Sequence, residues 1–125
     1  MSTALLANIA LQALAAGLGG YCLVLWFKKA RKPVLIGYHL LAGLGATETL
    51  LATIHISGLP ADSLARTLGL AAAMCFGVAV LSGFIAALVG KLRPQIANAL
   101  LAVHVGSALL GFFTALSFAR EAWAA

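Results

Sequence analysis

Long stretches without a charged residue, separated by short clusters of basic and turn-forming residues, set the plan of this chain. Residues 1 to 27, 67 to 90 and 95 to 119 carry no charge, and residues 33 to 60 are interrupted only by Glu48. About 20 apolar residues at 1.5 Å rise cross a hydrocarbon core of about 30 Å, so each run predicts a membrane-spanning helix with length to spare for tilt. The expected helices cover about residues 2–27, 33–56, 64–90 and 95–121. Together they predict an all-α, integral membrane four-helix bundle, built as two helical hairpins in a single domain, 1–125.

The punctuation between the runs agrees with that plan. Pro33 follows Arg31 and Lys32, and Pro94 follows Lys91, Leu92 and Arg93; proline in the first turn of a helix sacrifices no hydrogen bond, so both mark helix starts. Gly58, Pro60, Asp62 and Ser63 mark the turn between the second and third helices. Leu40-Leu41-Ala42 and Leu100-Leu101-Ala102 each follow their proline at a short distance, which hints at one hairpin design used twice in the same orientation. Met1-Ser2-Thr3 lacks the basic start of a cleavable signal peptide, so the first run is expected to persist as a helix.

Composition narrows the function classes. With 63% hydrophobic and 9% charged residues in 125, no segment remains from which a soluble domain could be built. A net charge of +5 would suggest nucleic acid as the partner of a soluble protein. Here six of the eight Lys and Arg residues, Lys28, Lys29, Arg31, Lys32, Lys91 and Arg93, crowd into the two loops on one side, so the lipid bilayer is the partner instead. The positive-inside rule makes that side the cytoplasm and predicts both termini outside, in a bacterial cytoplasmic (inner) membrane. Trp26 and Trp123 suit interfacial anchors. Cys22 and Cys75 fall at different depths and read as small packing residues.

No zinc-type Cys/His spacing, phosphate loop or carboxylate pair is present, so nothing points to a hydrolase, kinase or nucleotide binder. Small residues are dense on every helix, among them Gly19, Gly43, Gly83 and Gly111, as close helix packing in lipid requires. The ionisable residues inside the spans are few: His39, Glu48 and His55 on the second helix and His104 on the fourth. Each is expensive there and so draws attention.

His39 lies six residues after Pro33 and His104 ten after Pro94, which places both imidazoles in the cytoplasmic half with a depth mismatch of about 6 Å. Small residues follow each, Gly43 after His39, and Ala108 and Gly111 after His104. A haem held by histidines from two helices needs such residues, because its macrocycle slots between backbones beside each ligand. The patterns His39-Leu-Leu-Ala-Gly43 and His104-Val-Gly-Ser-Ala108-Leu-Leu-Gly111, in a chain of four spans, resemble the small membrane b-type cytochromes. That resemblance implies haem b with His39 and His104 as its axial metal ligands, and loop Lys and Arg near the propionates. Larger members carry two haems on two histidine pairs; only His55 is left over here, so one complete site is the most this chain could build.

Glu48 and Gln12 fall at the same depth on adjacent helices, which predicts a neutral carboxylic acid bonded to the Gln12 amide. His55, seven residues beyond Glu48, extends a polar line that could serve a proton path or a quinone, or simply an interhelical hydrogen bond. His39 and Glu48, nine residues apart, sit about 180° from each other around the helix, so one of the two faces calls for another membrane subunit, a second copy or a cofactor. The leading expectation is a small haem b subunit passing electrons between a redox partner and the quinone pool. The alternatives are a cofactor-free accessory or anchor subunit, and a proton-coupled transporter using Glu48.

Overall fold

A computed structural model describes residues 3–124, and their course follows the loop chemistry closely. Four helices, α1 (Thr3–Phe27), α2 (Pro33–Ile56), α3 (Leu64–Val89) and α4 (Pro94–Ala124), are each long and apolar enough to cross a membrane. The expected start of the first helix at residue 2 lies outside the described residues. α4 runs three residues further than expected, to Ala124, with Ala122 packed against the core and Trp123 exposed.

Each turn has a local cause. After α1, the amide of Ala30 donates to the carbonyl of Leu25 at 2.9 Å and that of Lys29 to Trp26 at 3.0 Å, the paired bonds that close a helix through one left-handed residue. Lys29 holds that position at φ 55°, where glycine would be the ordinary choice. Gly58 plays the corresponding part after α2 at φ 61°. Ser63 then caps α3, its hydroxyl accepting from the amide of Arg66 at 3.2 Å, which satisfies one of the open donors of the first turn.

The chain is a multi-pass membrane protein whose helices pack as two hairpins. α1 lies along α2 and α3 along α4, α2 and α3 join the hairpins, and α1 meets α4 at only a few points. The buried apolar positions are mostly small, Ala42, Ala46, Ala65, Ala72, Ala79, Ala86, Ala97, Ala115 and Ala119, while large residues such as Met74, Leu81 and Phe113 face outward. In lipid this is the expected distribution, since the solvent is as apolar as the side chains and close backbone approach supplies the attraction between helices.

Packing differs between the two ends. Near the 57–63 loop the interior is closed by Leu5, Leu50, Ile54, Ala72, Ala115 and Phe118, and Gly69 admits Ile54 and Phe118, which would stand 2.8 Å and 3.2 Å from a Cβ at that position. Towards the basic loops the four helices enclose a cavity instead.

Candidate cofactor site between the hairpins

Two imidazoles meet inside that cavity. His39 of α2 turns its Nδ1–H to the backbone carbonyl of Ala15 on α1 at 3.0 Å, and His104 of α4 turns its Nδ1–H to the carbonyl of Ala79 on α3 at 2.7 Å. A carbonyl oxygen only accepts, so both Nδ1 atoms carry the proton and both Nε2 atoms keep a lone pair. Those two Nε2 atoms face each other at 3.5 Å, with the rings nearly perpendicular at 88°. Between neutral histidines no hydrogen lies on that line. A proton or a metal ion placed there would complete the pair.

The hairpins achieve this by the same device. A glycine one turn after each accepting carbonyl leaves a notch against which the imidazole rests: a Cβ at Gly19 would stand 2.7 Å from Cε1 of His39, and one at Gly83 would stand 2.5 Å from Nδ1 of His104. Ala15 with Gly19 recurs as Ala79 with Gly83, an offset of 64 residues in each case. From the sequence these two glycines read as packing residues, some of which could make room for a flat cofactor, and not as rests for the histidines. Their identical relation to a carbonyl four residues earlier, in the helix preceding each histidine, was the available signal.

The anticipated depth mismatch does not keep the imidazoles apart, since their Nε2 atoms lie 3.5 Å from one another. Measured along the helices that hold the rings, Ala15 is 12 residues before the end of α1 at Phe27 and Ala79 is 10 before the end of α3 at Val89. The difference is only about 3 Å of rise.

The cavity has a volume of about 560 Å³ and receives residues from all four helices, within the range of about 300–1,000 Å³ typical of cofactor and ligand sites. Its walls beside the histidines are made of small residues, Ala16, Gly20, Gly43, Ala87 and Ala108. Gly43 and Ala108 line the cavity. Gly111 does not: it is buried between α4 and α3, where a Cβ would lie 3.0 Å from Phe76 and 3.1 Å from Cys75, so it serves helix packing rather than the cavity wall.

Cations mark one end of the cavity. Arg31 and Lys32 line it, and Arg31 is held in place by stacking 3.6 Å over the Trp26 ring and by lying directly against Gly90, where no Cβ could fit. Trp26 in turn donates its indole N–H to Asn98 of α4 at 3.0 Å. The loop of the first hairpin is thereby fastened to the second. Cys22 borders the cavity and both cysteines are free.

The polar residues deeper in the bundle are arranged differently from expectation. Gln12 does not pair with Glu48; its amide donates to Asn8 at 2.6 Å, and Asn8 donates to the carbonyl of Ala46 at 2.8 Å and to the hydroxyl of Thr49 at 3.0 Å. Asn8, which the sequence reading passed over, is therefore the buried polar link between α1 and α2. Counting residues from the loop gave neither the register nor the rotation: Asn8 meets α2 at Ala46 and Thr49 and Ala15 meets it at His39, so Gln12, between them, lies nearer the His39 end of α2 than Glu48 does. Glu48 and His55 both lie on the exposed side of α2, so no polar line runs from Gln12 through them.

Compared with family models, curated proteins and solved structures, the chain matches none.

Proposed function

We propose that the two hairpins hold one haem b between His39 and His104, and that the protein is a small membrane electron-transfer subunit. The observation that carries this reading is the opposed pair of Nε2 lone pairs, each oriented by a carbonyl bond on the far side of its ring. Carbonyl-bonded imidazoles of this kind are the usual form of a histidine metal ligand. Two metal–imidazole bonds of about 2.0–2.1 Å span about 4 Å, so the separation of 3.5 Å needs to widen by only about half an ångström.

A macrocycle accounts for more of the site than a bare ion does. An ion bound by two imidazoles would need no cavity, and no group of three or more metal-binding side chains exists among the described residues. The space of about 560 Å³ and its walls of Gly20, Gly43, Ala16 and Ala108 suit a flat apolar ring. Arg31 and Lys32 suit its carboxylates. Bound haem would supply a one-electron redox centre, while the chain's own residues fix the ligand tautomers, exclude water through apolar walls and offset the propionate charge.

Exchange with the quinone pool is part of the same reading. α1 and α4 touch at few points, and cavity residues Gly20 on one side and Leu109 on the other are exposed beside that gap. A lipid-soluble quinone would reach the redox centre there without passing a polar surface. The test is a reduced-minus-oxidised visible spectrum of protein purified from a haem-replete host: a low-spin b-type difference spectrum at one haem per chain is expected. A haem-free preparation would leave the accessory-subunit reading in its place.

A further inference from the structure

Glu48 occupies the centre of the outward face of α2. The buried positions Ala42, Ala46, Leu50 and Thr53 define the inward side, and at about 100° per residue Glu48 falls opposite to them, as it does to His39. It lies 15 residues after Pro33 and eight before Ile56, well inside the span. Among the described residues nothing hydrogen-bonds or pairs with its carboxyl. A carboxylate against lipid tails at that depth is strongly unfavourable, and even the neutral acid lacks a partner for its O–H and C=O.

The residues around it describe what would cover it. Val34, Leu41, Glu48 and His55 succeed each other at intervals of seven and are all exposed. Tyr38, Gly45 and Ala52 form a parallel row with the same interval. A seven-residue repeat keeps one stripe facing a partner helix along a left-handed pair. Ala52, one turn beyond Glu48 and exposed, would let that helix approach closely beside the carboxyl, while Gly45 already meets Leu11 of α1.

We infer that this stripe pairs with the same stripe of a second copy of the chain, α2 against α2 about a two-fold axis along the membrane normal, with the two Glu48 carboxyls bonded across it. Copies inserted in one orientation present parallel α2 helices, and a two-fold axis sets like residues against like. The carboxylic acid is complementary to itself: each neutral group donates its O–H and accepts at its C=O, so the pair leaves no charge in the bilayer. A partner offering Lys or Arg instead would bring two charges out of water. This pairing stands apart from whatever the histidines hold.

Cross-linking in native membranes tests it, with Cys22 and Cys75 first replaced by serine. Single cysteines at Leu41 and His55 should form disulfide-linked dimers on oxidation, while cysteines at the exposed positions Leu81 of α3 and Leu110 of α4 should not. In lipid nanodiscs or vesicles at falling protein-to-lipid ratio, wild type and Glu48→Gln should remain dimeric, since an amide is likewise self-complementary. Glu48→Leu should dissociate about 5- to 30-fold more readily, the equivalent of an interhelical hydrogen bond of about 1–2 kcal/mol. Three outcomes would overturn the inference: cross-linking at Leu41 and His55 no stronger than at the α3 and α4 controls, monomeric wild type at every dilution, or a dimer indifferent to Glu48→Leu.

Discussion

His39 and His104 point their Nε2 atoms at each other across 3.5 Å, while their Nδ1–H groups turn away from one another to the carbonyls of Ala15 and Ala79. Each histidine is thus oriented within its own hairpin, yet the site exists only where the hairpins meet. Any cation placed between the rings ties α1–α2 to α3–α4 at a junction where direct contact is otherwise limited to α2 with α3 and a few points between α1 and α4.

Loss of either imidazole should therefore cost the whole site. If the pair holds the proposed haem, His39→Ala and His104→Ala are each expected to abolish its low-spin spectrum, and the double variant to do no worse than either single one, because half a ligand pair cannot complete the axial set. The check is absorbance per chain in purified protein, with membrane insertion verified by fractionation. Full haem content in either alanine variant would show that another residue serves as ligand.

The glycine notches give a sharper prediction. A methyl at Gly19 or Gly83 would meet its imidazole at 2.7 Å or 2.5 Å, forcing the ring off its carbonyl partner at a cost of roughly 1–3 kcal/mol, as overpacking usually does. Gly43→Ala, with no protein atom within 4 Å of the new methyl, should leave the histidine geometry intact. Thermal unfolding in detergent should separate Gly19→Ala and Gly83→Ala from Gly43→Ala whatever is bound. If a macrocycle fills the cavity, Gly43→Ala should also weaken its retention.

Asn8 should matter to stability more than Glu48 does within a single chain. Its side chain makes both contacts to α2 and accepts from Gln12, so Asn8→Leu is expected to destabilise the α1–α2 hairpin by about 0.6–2 kcal/mol, the range found for interhelical hydrogen bonds in membranes. Glu48→Gln, on the outside of α2, should leave monomer unfolding unchanged. Comparing denaturation of the two variants in mixed micelles checks the order; an Asn8→Leu protein as stable as wild type would make the buried network dispensable.

The basic loops predict the orientation. If Lys28, Lys29, Arg31, Lys32, Lys91 and Arg93 are cytoplasmic, the 57–63 turn faces outward, and Ser63→Cys in a cysteine-free background should react with an impermeant maleimide in intact cells. Reaction only in inverted vesicles would reverse the topology and with it the side on which Arg31 closes the cavity.

The sequence by itself determined the spans, the hairpin order and the helix starts at Pro33 and Pro94. Each of these depends on hydropathy and backbone chemistry along the chain, and both are one-dimensional. It also carried His39 and His104 as a pair, because intramembrane ionisable residues are too costly to be incidental. What only the tertiary structure decided is rotation and neighbourhood. Gln12 bonds Asn8 inside the α1–α2 hairpin while Glu48 lies on the outer side of α2, and Gly111 sits against Phe76 while Gly19 and Gly83 shape the histidines. In a helix that is apolar all round, the surrounding lipid favours no particular rotation. The facing of each residue is set by close contacts at small side chains and by hydrogen bonds such as that from Asn8 to Ala46, which join residues far apart in the chain and leave no period in it.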